Sequence, residues 1–290
     1  MKSSEARVQG SGSRVHSALN RLTDSSFILH PSSFKPILPA IVALIFACLF
    51  ASCKPAPIDT ALPKVSAGEL AESIIGRARA FSAKGVVRYE GGLLSFVEAE
   101  FLCDPKIGLR IDFFTPFMTP AAIFTISENR AQFLNIIEGL LMRGRPKDLA
   151  RRIFHLDLDP SGLPWLLAGG LPPNYKDWRF DARRKDDSPG TVALLAKDEN
   201  GNTLRATLAE KNYRIVDVAL FDAGKSDPSQ AIACANHLEG DFPIPRRLRL
   251  AGRDFDEEIV MTLRDIETDK GLRVQDLILD KMPGVRITDI

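Results

Sequence analysis

Eight side chains in this 290-residue chain are suited to nucleophilic, redox or metal chemistry: Cys48, Cys53, Cys103, Cys234, His16, His30, His155 and His237. No two cysteines are spaced as CxxC, which excludes a zinc ribbon or a dithiol redox motif. Four scattered histidines are too few for a His-rich metal site. His155 closes a helical pattern, where a cation meets the negative end of the helix dipole. His237 sits in a polar strand-to-loop stretch, and neither histidine has the neighbours that acid–base work needs. The acidic run Asp254-Phe255-Asp256-Glu257-Glu258 reads as a solvated hairpin turn rather than a metal cluster. GxSxG, P-loop, GxGxxG and HExxH patterns are absent. These residues point away from an enzyme, a resident metal or a bound cofactor.

Cys53 is different because of what precedes it. Residues 36–52 carry no charge, and 37–51 (ILPAIVALIFACLFA) are apolar. A membrane-spanning helix needs about 20 such residues. A shorter run after Lys35 fits the core of a signal peptide. Its end, Leu49-Phe50-Ala51-Ser52-Cys53, resembles a bacterial lipobox, with Phe50 where Leu is usual. Cys48 fits less well, since Phe46 stands where a small residue belongs. The lipobox implies cleavage before Cys53, diacylglycerol on its thiol and a further acyl chain on its amino group. An ordinary signal peptide or a single membrane anchor is the other reading. Each buried methylene contributes about 0.8 kcal/mol, so several chains hold a protein on a bilayer where one does not. Lys54, rather than Asp, after the cysteine implies the bacterial outer membrane, with the chain facing the periplasm. Residues 1–34 are Ser-rich and longer than a normal leader start; the expected translation start lies nearer Lys35, or this stretch is an extension outside the fold.

Composition agrees with a folded body behind that leader. Lys and Arg number 38 against 37 Asp and Glu, a formal charge of +1, with 45% hydrophobic and 26% charged residues. Such values exclude wholesale disorder and a multi-span membrane protein. Near-zero charge also argues against nucleic-acid binding. Residues 1–52 hold five basic and two acidic residues, leaving 33 against 35 in the remainder. The expected organisation is a leader over 1–52, a lipidated, Pro-rich tether over 53–65 and one domain over 66–290.

The domain opens with a helical pattern at 66–80, where Ser66 and Glu69 have capping-box spacing. Period-two alternation follows. Strands are expected at 84–90, 93–103, 107–114, 121–127 and 130–137, with turns at Gly91-Gly92, Asp104-Pro105 and Glu128-Asn129. Two helices come next. One spans 146–155, with Pro146 at its start. The other spans 160–168, capped by Asp159 and stopped by Gly169-Gly170. Strands return at 178–184, 191–197, 203–209, 213–222, 231–236, 245–251 and 257–264, with a last pairing segment at 272–279. Asp198-Glu199-Asn200-Gly201 is a hairpin turn signal. Many sequential antiparallel strands with few helices predict one strongly curled sheet, a mostly β barrel-like shell.

Thr115-Pro116-Phe117-Met118-Thr119-Pro120 joins two of these strands. Prolines at both ends stop ladder pairing and make this a surface connection. Phe117 and Met118 at its tip either fold under the barrel mouth or meet a membrane or partner. Cys103 and Cys234 either bridge the sheet or remain buried thiols. Arg143, Arg145, Arg151 and Arg152 form a basic cluster, read first as a solvated face and second as a surface for anionic headgroups or an acidic carrier.

Five segments in order carry a family resemblance: Ala83-Lys-Gly-Val-Val-Arg-Tyr89, Leu109-Arg-Ile-Asp-Phe-Phe-Thr-Pro-Phe117, Leu163-Pro-Trp-Leu-Leu-Ala-Gly-Gly-Leu-Pro172, Pro245-Arg-Arg-Leu-Arg-Leu250 and Glu258-Ile-Val-Met-Thr-Leu263. With the lipobox in front, residues 67–266 resemble the LolA/LolB-like lipoprotein-carrier superfamily, and within it the LolB-like outer-membrane receptors. The resemblance implies a half-open antiparallel β-barrel closed by short helices, holding acyl chains in an apolar cavity. It implies a monomer that accepts lipidated client proteins from a periplasmic lipoprotein carrier and inserts them into the outer membrane. Phe117 matches the family's protruding apolar residue, with Met118 beside it. Inward positions Val87, Phe96, Leu109, Ile111, Phe113, Ile123, Phe133 and Trp165 become candidates for lining the cavity, or fill a dry core. Transfer then needs only tighter binding at the receiver, about 1.4 kcal/mol per tenfold. The chain departs from the pattern by extra length around 179–187 and 223–239, by Phe-Met at the loop, and by 24 residues beyond Ile266. A lipid or glycolipid carrier of the same fold, and a structural envelope lipoprotein with a filled barrel, are the alternatives.

Overall fold

Alternation of apolar and polar side chains drives the chain into strands soon after its first helix. That helix, α1 (Ala67–Arg77), is capped by Ser66: its hydroxyl accepts from the Glu69 amide while the Glu69 carboxylate accepts from the Ser66 amide, the reciprocal pair expected from the spacing. The computed structural model describes residues 65–90, 97–127, 129–154, 157–181, 190–240, 243–252, 258–270, 272–279 and 284–290, all within the unit Leu62–Ile290. The leader, Cys53, the Gly91-Gly92 turn, Phe96, Glu128, His155 and residues 254–257 lie outside the described residues.

Two antiparallel meanders make up the sheet. The first holds β1 (Phe81–Glu90), β2 (Val97–Asp104), β3 (Gly108–Phe114), β4 (Pro120–Ser127), β5 (Arg130–Asn135) and β6 (Leu140–Gly144). The second holds β7 (Lys176–Phe180), β8 (Thr191–Lys197), β9 (Thr203–Ala209), β10 (Ile215–Phe221), β11 (Gln230–His237), β12 (Pro245–Ala251) and β13 (Glu258–Thr268). Antiparallel pairing of β1 with β13 fuses the two, Val87 lying opposite Met261. Their approach at the seam is close: a Cβ on Gly85 would lie 2.2 Å from the Thr262 carbonyl oxygen, so only glycine fits. A short β14 (Arg286–Asp289) pairs parallel to β6. The strand order is β14-β6-β5-β4-β3-β2-β1-β13-β12-β11-β10-β9-β8-β7, an open sheet with β14 and β7 at its edges.

β6 neighbours one edge and β7 forms the other, so the connection between them must cross the sheet. It runs as α2 (Pro146–Phe154), a 3-10 turn at Pro160–Gly162 and α3 (Leu163–Leu167). Leu158, Leu163, Leu166, Leu167 and Leu171 are buried in one core with Phe101 of β2, Ile111 of β3, Phe124 of β4, Val218 of β10 and Leu250 of β12. Leu163 itself borders a cavity shared with β4 and another shared with β10. In the strand order those two strands are seven spacings apart, roughly 34 Å if flat at ~4.8 Å each. A leucine reaches both only because the sheet curls around the helices. This is the curled sheet that the strand pattern predicts, and the half-open barrel closed by short helices that the resemblance implies.

Two details differ from expectation, and one left open is decided. β6 was not anticipated, because Leu-Leu-Met-Arg-Gly is short and follows directly on an apolar turn. Residues 272–279 do not pair as a strand. They form a 3-10 turn (Val274–Leu277) laid on the outer face, where Leu279 packs with Ile123, Leu134 and Leu141 in a second small core. Polar contacts fix this segment: Arg110 Nη1 donates to the Asp276 carbonyl at 2.9 Å, and the Leu279 amide donates to Gln132 Oε1 at 3.1 Å. The detail left open concerns the thiols, which take the unbridged reading. Cys103 and Cys234 are both free and buried. They stand on β2 and β11 with three strands between them. Cys103 instead donates to the Pro164 carbonyl of α3 at 3.2 Å.

Candidate functional site

Among the described residues, two cavities border the helical crossing. One is wholly apolar. Val87 and Tyr89 of β1, Ile111 and Phe113 of β3, Phe124 of β4, and Ile259 and Met261 of β13 form its floor, with Phe154 of α2, Leu158 and Leu163 above. Phe124 and Phe154 meet edge to face, with centroids 6.1 Å apart, a geometry that aromatic quadrupoles favour. Its free volume is about 50 Å³, well short of the ~300–1,000 Å³ of ordinary ligand sites. Side chains almost fill it.

The second cavity is larger and mixed, with about 350 Å³ of free volume. Leu204, Val218, Leu220 and Ile232 from β9, β10 and β11 supply one wall, and Trp165 of α3 another. Polar groups enter from Asp159, Ser161, Asn174, Tyr175 and Gln230. Burial pushes the Tyr175 phenol well above its usual range, and nearby Asp198 and Asp159 add to the effect. Tyr175 therefore stays neutral.

A third feature lies at the sheet's end. The β3–β4 turn is fastened at its base: the Thr115 amide donates to the Thr119 carbonyl at 2.9 Å, and the two threonine hydroxyls lie 2.6 Å apart. Met118 turns back with φ 59°, its amide donating to the Thr115 carbonyl. On this closed loop Phe117 is 88% exposed and Met118 60%. The β5–β6 turn opens at the same end, because β3, β4 and β5 run alternately; the Ile136 amide donates to the Ala121 carbonyl at 3.0 Å. It exposes Ile137 at 75%. An apolar rim of two adjacent turns results.

No family model matches the chain, and no curated protein matches it by sequence. Solved structures do match. A LolA superfamily protein from Nitrosomonas europaea superposes with TM-score 0.55 over 75% of this chain and 100% of its own, at 9% identity. An outer membrane lipoprotein-sorting protein domain from Vibrio parahaemolyticus gives TM-score 0.55 over 72% and 94% of the two chains, at 13% identity. A DUF1329 family protein from Desulfovibrio piger gives 0.54 over 71% and 92%, at 11%. The chain has the LolA/LolB-like fold.

On this fold the residues singled out by sequence take different places. Val87, Ile111 and Phe113 line the apolar cavity, and Trp165 lines the mixed one. Leu109 is fully buried in the main core, and Phe133 packs against that core. Ile123 faces the opposite side, under the C-terminal segment. Phe117 and Met118 are exposed at the rim. Phe96 and Cys53 are outside the described residues. In the basic cluster, Arg143 pairs with Asp289, Arg145 with Asp148 and Arg151 with Asp157. Three acids thus offset three of the four arginines; Asp157 also serves Lys147, and Arg152 is exposed, so the face keeps an excess of positive charge.

Sequence reasoning missed Ile136 and Ile137, which read as the end of a strand; the following Glu138-Gly139 was the available turn signal. It also missed Tyr175 and Gln230. Among the described residues no group of three or more His, Cys, Asp or Glu side chains converges on a point. Burial pushes the Cys234 thiol up to about 12 and the Cys103 thiol higher still, so both are inert neutral groups at physiological pH.

Proposed function

We propose that this chain is an outer-membrane lipoprotein, anchored through acyl groups on Cys53, that takes acylated client proteins from a periplasmic carrier and inserts them into the bilayer. The observation that carries this reading is the apolar rim. A phenylalanine 88% exposed on a loop closed by its own hydrogen bonds is costly to hold in water. A membrane removes that cost. The similar Vibrio domain is described as lipoprotein-sorting, and the lipobox before Cys53 supports the same compartment. Acyl chains would enter the apolar cavity by displacing Phe154 and Leu158, since the space present is about 50 Å³.

That small volume also favours a second reading, a structural envelope lipoprotein whose barrel is filled. Replacing Phe117 and Met118 by Glu separates the two. The receptor reading expects client delivery to liposomes to fall at least about tenfold, two buried apolar side chains being lost, while binding of a diacylated peptide is unchanged. Failure of the unaltered protein to bind any acylated peptide would sink the receptor reading and leave the filled scaffold.

A further inference from the structure

Exposed apolar side chains also gather on the C-terminal segment, away from the rim. Val274, Ile278 and Ile287 are 63%, 43% and 47% exposed. Single residues of this kind need no explanation, but two of these point to one side. Ile278 is extended, with φ −94° and ψ 111°. It stands between buried Leu277 and Leu279, so its side chain points away from the sheet. Ile287 pairs with Leu141 in the β14–β6 ladder, and Leu141 belongs to the small outer core. Ile287 therefore stands on that same outer side.

The rim runs directly into this surface. The Arg286 amide donates at 2.9 Å to the Gly139 carbonyl, in the turn that exposes Ile137. Ile287 lies at the level of Leu134, which faces Leu141 across β5 and β6. Ile278 lies beside Gln132, two residues further from the rim along β5, since the Leu279 amide donates to the Gln132 side chain.

Charge selects no partner on this side. Arg110 pairs with Asp112 at 2.9 Å, Arg143 with Asp289 at 2.9 Å and Arg273 with Asp276 at 3.0 Å. Ions matched within the surface leave little field to favour one charged protein over another. Apolar side chains aimed one way and continuous with an inserting rim meet what a lipid boundary requires.

We propose that the domain rests obliquely on the bilayer, its rim turns inserted and Ile287 and Ile278 at the lipid boundary. This rests on the reading that the rim meets a membrane, and adds a fixed stance to it. Depth then decreases from Phe117 through Ile287 to Ile278.

The test places a tryptophan at one position at a time in the full-length protein: Phe117→Trp, Ile287→Trp, Ile278→Trp and, as a control, Ala233→Trp. Ala233 is exposed on the outer side of β11, six strand spacings from β4. Each variant is reconstituted in phosphatidylcholine–phosphatidylglycerol vesicles containing a phosphatidylcholine brominated on its upper acyl chains. Fluorescence of Trp165 and Trp178, common to all samples, is subtracted with the unaltered protein. Residues about 5–10 Å into the boundary meet the bromine, so quenching at 287 and 278 is expected to exceed that at 233 at least about twofold, in the order 117, 287, 278. Quenching at 117 alone means an upright stance; it overturns the proposal and leaves the rim reading intact. No quenching at any position removes both. Positions 278 and 287 shielded from aqueous acrylamide yet untouched by brominated lipid would mean that a protein covers this face, which also overturns the proposal. So does quenching at 233 equal to that at 278 and 287.

Discussion

At the scale of single residues, burial decides which groups can do chemistry. The two described cysteines are neutral because the interior penalises the thiolate, and no cation stands near to offset that. His237 obeys the same rule with the opposite sign of charge. Burial lowers its pKa from the ordinary 6.5, Arg214 lowers it further, and a hydrogen bond with the Ile215 backbone opposes both in part. A folded-state pKa below the unfolded one means that the unfolded chain binds the proton more readily. The resulting stability is present above about pH 6.5 and is lost as pH falls below it. The thermal midpoint should therefore drop between pH 7.5 and 5.5, above the range in which Asp157 and Asp276, both held low by arginine partners, take up protons. His237→Gln should flatten that drop; an equally steep profile in the variant would assign the dependence elsewhere.

Among the elements, α3 shows how a five-residue helix is held in one place. Its flanks are set by Asp159, whose carboxylate accepts from the Ser161 amide, and by Gly169-Gly170. The Gly170 amide donates to the Trp165 carbonyl at 2.8 Å, ending the helix and fixing Trp165 against the mixed cavity. Gly169 adopts φ +76°, and a Cβ there would lie 2.5 Å from the Pro243 carbonyl. Gly169→Ala thus meets backbone strain and a clash together. Gly224, at φ +74°, has nothing within 4 Å of its would-be Cβ and meets the strain alone. Denaturant unfolding should place Gly169→Ala about 2 kcal/mol or more below the native chain and clearly below Gly224→Ala. Equal losses for the two would mean that Pro243 gives way.

Over the whole molecule the problem is how an open sheet survives with two edges and two faces. Exposed edges invite pairing with other chains. β14 covers β6 with four exposed residues, and its Asp289 pairs with Arg143. β7 is short, charged, irregular in register and packed beside α1. The inner face is covered by the helical crossing. The outer face of β4, β5 and β6 is covered by the C-terminal segment, which buries Ile123, Leu134 and Leu141. Removing residues 272–290 should lower stability by at least about 4 kcal/mol, three large apolar side chains being exposed at ~1.5–3 kcal/mol each. Size-exclusion chromatography should then show self-association. A truncated chain that remains monomeric at an unchanged denaturation midpoint would show that this face needs no cover.

Much of this was written locally. Ser66 and Glu69 set the first cap, the Asp198–Gly201 turn set a hairpin, and the prolines around Phe117 set an exposed loop, because each depends on neighbours within four residues. Alternation likewise revealed most strands and, through their number and order, a curled sheet. Distant partners decided the rest. The eight-residue segment at 272–279 is apolar enough for a strand, but its place on the outer face depends on β4 and β5, some 150 residues earlier. The same partners turn Ile123 away from the interior that its strand pattern suggested. Gln230 has no local signature at all. Its state arises only when the amide of Asp159, 71 positions before it, donates to its oxygen while its nitrogen is buried without a hydrogen-bond partner. Short-range sequence determines which conformations a segment can adopt. Only the closed tertiary structure determines which surfaces are left without a partner, because burial is a property of everything that surrounds a side chain.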